Sequence, residues 1–211
     1  MVPGDHTLLS RYLERAARAR LLAERYPESR EGLLFAAAIF EWQSKGEGLE
    51  ELRALVRRIG PPVLRRAPPS HEWFSRVIAE FEPPAIRGRA PRDNECPLCG
   101  HPPQLGVLRP EGHGSALTLA CSLCRHEWPY PRATCPGCGE TDPHKIAFGT
   151  TKAFPAIQTM TCDSCWSYLH LIDLGKDPLA VPEADELSAQ PLDVWAIEQG
   201  YRKLTPNWIG I

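Results

Sequence analysis

The chain has 211 residues, 43% of them hydrophobic, with 24 Lys and Arg against 26 Asp and Glu, for a formal net charge of −2. That length supports one large domain or two small ones with real cores. The longest apolar run, Leu33 to Phe40, falls far short of the ~18 residues that crossing a bilayer requires, so no membrane insertion is expected.

The N-terminal part reads as helical. His6 to Tyr26 places Leu9, Tyr12, Leu13, Ala16 and Ala23 at helical spacing, and Pro27 ends the run. Ser29 is positioned to cap a second helix through Gln43, apolar nearly all round and therefore expected at the centre of the bundle. A third helix spans Leu49 to Ile59, with Leu52, Leu55, Val56 and Ile59 as its inner stripe, and Pro61 and Pro62 stop it. Ser70 caps a short fourth helix to Phe81 carrying Trp73, Phe74, Val77 and Ile78. A helical domain over residues 1–82 follows. Residues 83–94, with Pro83, Pro84, Pro91, Arg87, Arg89 and Arg92, form a proline-stiffened linker, expected to hold the two halves of the chain around a binding groove.

All eight cysteines lie between Cys96 and Cys165, in four Cys-x-x-Cys pairs: Cys96/Cys99, Cys121/Cys124, Cys135/Cys138 and Cys162/Cys165. Two thiolates three positions apart grip one metal ion from a tight turn, and four complete a tetrahedral site. Cys96-Pro-Leu-Cys99-Gly100 and Cys135-Pro-Gly-Cys138-Gly139 share a pattern that the other two pairs lack, so the chain reads as a tandem repeat. Each repeat closes one four-cysteine site, and two ions, iron or zinc, are expected. Disulfides fit poorly: residues 1–25 show no signal peptide, and four bridges packed into a third of the chain do not resemble a small disulfide scaffold. A thioredoxin-like redox pair has one such motif, not four. Reduced thiols place the protein in the cytoplasm. His101, His113, His126, His144 and His170 lie nearby, but eight thiolates already complete both sites.

Between the pairs the pattern is that of short strands. Leu105–Leu108, Ala116–Ala120 and His126–Tyr130 form the first copy, with Trp128 over the metal site or the sheet face. His144–Phe148, Ala156–Thr161 and Trp166–Leu171 form the second. This is a rubredoxin-like or zinc-ribbon plan, repeated over residues 95–178. In the C-terminal part, residues 179–211, one helix from Leu187 to Gln199 is expected, with Leu192, Trp195 and Ile197 inward and Trp208 and Ile209 as anchors or contact surface. The fold class is therefore α+β: a helical domain, two tandem metal modules and a C-terminal helix.

Charge narrows the function. Residues 1–94 carry +3, residues 95–178 carry −2 and residues 179–211 carry −3. Four thiolates around a divalent ion add −2 per site, bringing the loaded protein to about −6. A phosphate backbone wants clustered Lys and Arg, so a nucleic-acid-binding zinc ribbon is disfavoured. Four-thiolate sites leave no open coordination position, and no Ser/His/Asp cluster, phosphate loop or carboxylate pair stands out, so no enzyme is expected. A small electron carrier or redox sensor is a second reading and requires iron.

The pattern Cys96-Pro-x-Cys-Gly, Cys121-x-Leu-Cys124-x-x-Glu-Trp128, Cys135-x-x-Cys138 and Cys162-x-x-Cys165-x-x-Tyr168-Leu169 resembles the FdhE family, the formate dehydrogenase accessory or formation proteins. Lys176-Asp177-Pro178 and the acidic stretch Ala184 to Leu187 resemble it too. The resemblance implies a cytoplasmic assembly factor that contacts the molybdenum- or tungsten-containing catalytic subunit of a formate dehydrogenase, or a related oxidoreductase, and supports its activation. It also implies iron or another metal in rubredoxin-like sites, with the eight cysteines as ligands.

Overall fold

A computed structural model describes residues 6–66, 69–78 and 92–209. The last residues of the expected fourth helix and most of the expected linker, including Arg87 and Arg89, lie outside them. The chain is α+β, with N-terminal helices followed by a sheet and two C-terminal helices.

Helix α1 (His6–Arg25) packs along α2 (Arg30–Lys45), with a single 3-10 turn at Pro27–Ser29 between them. The buried stripe of α1 is Tyr12, Ala16, Ala19, Leu22 and Ala23, while Leu9 and Leu13 face outward. α2 is buried nearly all round, from Gly32 to Gln43, as its composition requires. Gly46, at φ 64, terminates it in the left-handed region. α3 (Leu49–Ile59) buries Leu52 and Val56 and leaves Ile59 exposed. Pro62 does not simply stop the chain but opens a further short helix, α4 (Pro62–Arg66), where a missing N–H costs nothing. α5 (His71–Ile78) buries Trp73 and Val77.

The cysteine region contributes six strands to one sheet rather than forming two small ones. The first copy is β1 (Pro103–Glu111), β2 (Gly114–Cys121) and β3 (Glu127–Tyr130); the second is β4 (Ile146–Thr150), β5 (Ile157–Cys162) and β6 (Ser167–Asp173). Each copy is an antiparallel meander, and the sheet order is β3-β2-β1-β6-β5-β4. The copies fuse where β1 runs parallel to β6, pairing Gly106 with Leu171, Val107 with Ile172 and Leu108 with Asp173. Gly106 makes this junction possible: a Cβ there would lie 2.5 Å from Leu171 Cδ2 and 2.9 Å from Leu117 Cδ1. Both leucines are buried. Gly106→Val is therefore expected to destabilise the fold by about 1–3 kcal/mol through overpacking, read as a lowered urea midpoint at unchanged slope.

The C-terminal part binds the halves together. Val181 precedes α6 (Pro182–Ser188), and after a break at Ala189 the chain resumes as α7 (Gln190–Glu198), so two helices stand where one was expected. Pro191 sits at the start of α7. A short strand β7 (Arg202–Lys203) then pairs with β6. Trp208 and Ile209 enter the helical core, with Phe40 5.1 Å from the Trp208 ring and Trp73 Nε1 donating to Trp208 O at 2.7 Å. Ala184 and Leu187 of α6 join the same core. Arg18 of α1 donates to Asp185 at 2.6 Å and Asp177 at 2.5 Å, and Arg15 pairs with Glu183. Arg76 of α5 reaches Ser122 O and Pro206 O. Among the described residues these contacts bridge the junction between helices and sheet, expected as a groove, and a cavity of about 10 Å³ lies there beside Arg125 and Trp208.

Candidate metal centres

Four turns carry the cysteines, and all four have the same shape. The glycines after the second thiolate adopt positive φ, 73° at Gly100 and 78° at Gly139. The other two pairs, which lack that glycine, do the same with Arg125 at φ 60 and Trp166 at φ 54. The sequence distinction between two kinds of knuckle therefore conceals one geometry, and at two of the four positions a bulky side chain carries its conformational cost. Backbone bonds close the turns: Gly100 N donates to Cys96 O at 2.8 Å, Gly139 N to Cys135 O at 2.9 Å and Trp166 N to Cys162 O at 2.8 Å.

The turns meet in two groups, Cys96, Cys99, Cys121, Cys124 and Cys135, Cys138, Cys162, Cys165, with the ligand atoms of each group within 4.8 Å of one another. In the first, Sγ–Sγ separations are 3.6 Å for Cys96–Cys124, 3.4 Å for Cys99–Cys121 and 3.5 Å for Cys99–Cys124. In the second they are 3.6 Å for Cys135–Cys165 and 3.8 Å for Cys138–Cys162. A tetrahedron with metal–sulfur bonds of ~2.3 Å has edges of ~3.8 Å, whereas a disulfide needs ~2.05 Å. All eight thiols are free. Each group is thus positioned to hold one metal ion. Tetrahedral sulfur suits both zinc and iron.

Electrostatics point the same way. Burial pushes the Cys99 thiol up to about 12. Cys124 is raised by its contact with Cys121 and by burial, and Cys135 chiefly by burial. Cys165 is the exception, where burial is outweighed by bonding to Ser167 and the neighbouring thiols. Where burial raises a thiol, a bound cation supplies the charge that makes its thiolate favourable. Backbone donors already face sulfur, with Leu123 N 3.3 Å from Cys121 Sγ and Gly137 N 3.3 Å from Cys135 Sγ.

The two groups differ in surroundings. The first has two buried and two half-buried members, while Cys138 of the second is exposed. Trp128, expected over the metal site or the sheet face, is buried in the core that the cysteines share and donates Nε1 to Asp93 O at 3.1 Å. Asn94 Nδ2 donates to Pro136 O at 2.8 Å, tying the approach to the first group to the turn of the second. A surface groove of about 800 Å³ runs alongside, lined by Trp128, Tyr130 and Cys138 among others. Arg125, buried directly after Cys124, lies 4.9 Å over the Trp208 ring and so links the first group to the helical core.

Behind the second group lies a buried polar network that the sequence did not reveal. Asp193 Oδ1 accepts from Tyr168 Oη at 2.9 Å and His170 Nε2 at 2.8 Å, and Lys203 Nζ lies 2.8 Å away. Lys203 also pairs with Glu186, to which Asn207 donates, and Thr159 Oγ1 lies 3.1 Å from His170 Nδ1. His170 is therefore placed in this network and not among the sulfurs. Only the run of carboxylates through α6 and α7 hinted at it, and charged residues ordinarily face solvent.

Comparison with known proteins places this geometry. The family model described as FdhE, central domain matches residues 95–132, and that described as FdhE, C-terminal domain matches residues 133–209. Together they cover more than half of the chain, and each holds whole cysteine turns. The chain belongs to the FdhE family. Relatives named "Protein FdhE homolog" include one from Aquifex aeolicus, 36% identical over 118 residues, and one from Pseudomonas aeruginosa, 36% identical over 119 residues. The first match covers 56% of this chain and 42% of the relative, the second 53% and 38%. The matched stretch thus spans less than half the length of either. The crystal structure of the FdhE protein from Pseudomonas aeruginosa aligns over 96% of both chains, with a TM-score of 0.66 and 22% identity, a likeness of fold. Among the described residues no helix of this FdhE-family chain is long and apolar enough to cross a membrane.

Proposed function

We propose that this chain is an assembly factor, working in the reducing cytoplasm, that binds the catalytic subunit of a formate dehydrogenase or a related molybdenum- or tungsten-containing oxidoreductase and supports its activation. The observation that carries this reading is that the stretches matching the FdhE family are also those that build the two four-cysteine clusters. Cys96, Cys99, Cys121, Cys124, Cys135, Cys138, Cys162 and Cys165 are the proposed ligands. Four-sulfur sites of this kind hold an ion without offering water or substrate a place on it, which supports a binding role over an enzymatic one.

The test is co-purification of the full chain with a formate dehydrogenase catalytic subunit. A stable complex is expected with the metal-loaded protein, and its loss in a Cys121→Ser/Cys124→Ser variant that keeps its fold. No complex with any such subunit would overturn the reading. The exposure of Cys138 favours a second reading, one-electron exchange at the second site, if that site holds iron. Red-brown protein bleached by dithionite would support it; colourless zinc protein would set it aside.

A further inference from the structure

Trp166 follows Cys165 at φ 54, in the backbone region that Gly139 occupies at the matching position of the facing turn. An indole is a poor choice there unless something outside the turn uses it. Arg125, under the same constraint, is buried and lays its side chain on Trp208. Trp166 is 52% exposed. Its internal contacts are the Tyr201 ring at 5.4 Å and the chain at Gly200, where a Cβ would lie 3.9 Å from the indole.

The surroundings are acidic. Tyr201 Oη donates to Asp163 Oδ1 at 2.5 Å, and Ser164 Oγ to Glu140 Oε2 at 2.5 Å. Exposed Cys138 belongs to the same cluster as Cys165, and Glu198 ends α7 three residues before Tyr201. The cations beside these groups are Lys145, 3.7 Å from Glu140, and Arg202, which continues from Tyr201. A cluster of four thiolates holding a divalent ion adds two negative charges of its own.

We infer that Trp166 and Tyr201, beside the second cysteine cluster, form a docking surface for an arginine- or lysine-bearing segment of the client polypeptide. Aromatic faces attract guanidinium and ammonium groups, and the carboxylates on the rim complement the same charge. The inference rests on the client reading above for the identity of the partner, and on the patch itself for its chemistry.

Trp166→Gly tests it, because the substitution suits the backbone while removing the surface. The variant is expected to keep both metal ions and to melt within about 3 °C of wild type, since relief of the left-handed strain offsets the lost Tyr201 contact. Binding is then measured by titration against two probes: a purified formate dehydrogenase catalytic subunit, and a tetra-arginine peptide, with tetra-glutamate as control. Wild type is expected to bind both probes and ignore tetra-glutamate, and Trp166→Gly to bind each at least about tenfold more weakly, while Phe148→Ala, at another exposed aromatic on β4, matches wild type. If tetra-arginine binds through Trp166 and the subunit does not bind at all, the surface stands and the client reading falls. If the subunit binds wild type and Trp166→Gly alike, the surface is overturned and the client reading stands. If neither probe binds, both fall.

Discussion

Removal of both metal ions is expected to unfold the sheet. Each cluster places two of its cysteines in the core of β1–β6, where Cys96, Cys121, Cys135 and Cys162 are buried with Leu108, Leu119, Met160 and Leu169. Each site is expected to supply on the order of 10 kcal/mol of folding free energy, comparable with the net stability of a whole domain. Without a cation the sulfurs are left crowded, and burial pushes the Cys99 thiol up to about 12, against ionising. Chelation at neutral pH is therefore expected to abolish the strand signal in circular dichroism. Exposure sets the order of loss: the ion held with exposed Cys138 is expected to leave before the ion of the buried first cluster. A sheet that survives intact with no metal bound would show that the sulfurs pack without needing one.

Asp193→Ala is expected to cost about 3–5 kcal/mol, the range for breaking a buried ion pair by removing one partner. The carboxylate holds Tyr168, His170 and Lys203 at 2.8–2.9 Å, in surroundings closed to water. Its loss leaves the Lys203 charge to Glu186 alone and orphans two buried donors. The network joins β6, α6, α7 and β7, so the damage extends to the whole C-terminal part. The pH dependence follows from two shifts. Burial raises the Asp193 carboxyl, but His170 and Lys203 outweigh it and hold it below its ordinary 3.8. Burial lowers Lys203, but Glu186 and Asp193 outweigh it and hold it above 10.5. The stabilisation from Asp193 is full above 3.8 and is lost as pH falls through the folded value. That from Lys203 is full below 10.5 and is lost as pH rises through its folded value. The urea-midpoint difference between wild type and Asp193→Asn should accordingly narrow as pH falls below 3.8 and as it rises above 10.5.

The eight sulfurs and their grouping were legible because spacing and repetition are local. So were the strands, since each hairpin runs between two cysteine turns only 20-odd residues apart and the third strand follows directly after the second turn. The fusion of the two copies was not legible. It depends on one contact type, β1 lying parallel beside β6, and the only trace of it is Gly106, an inconspicuous residue in a strand. α7 misled for a different reason. Trp195 and Ile197 were expected inward, yet both are exposed, because the inner face of α7 is built from Leu192, Asp193 and Ala196. A buried carboxylate with three partners reverses the usual reading of which face is wet. The left-handed turns at Arg125 and Trp166 were hidden likewise, since positive φ is read from glycine and neither residue is one.

The account depends most on two ions gathered by these eight cysteines, four to each. Elemental analysis of freshly prepared, reduced protein, alongside Cys96→Ser and Cys135→Ser variants, addresses this directly. Two metal ions per wild-type chain are expected, and one per chain in each variant, with the second cluster kept in Cys96→Ser and the first in Cys135→Ser. Fewer than one ion per wild-type chain, or a variant that still carries two, would contradict it.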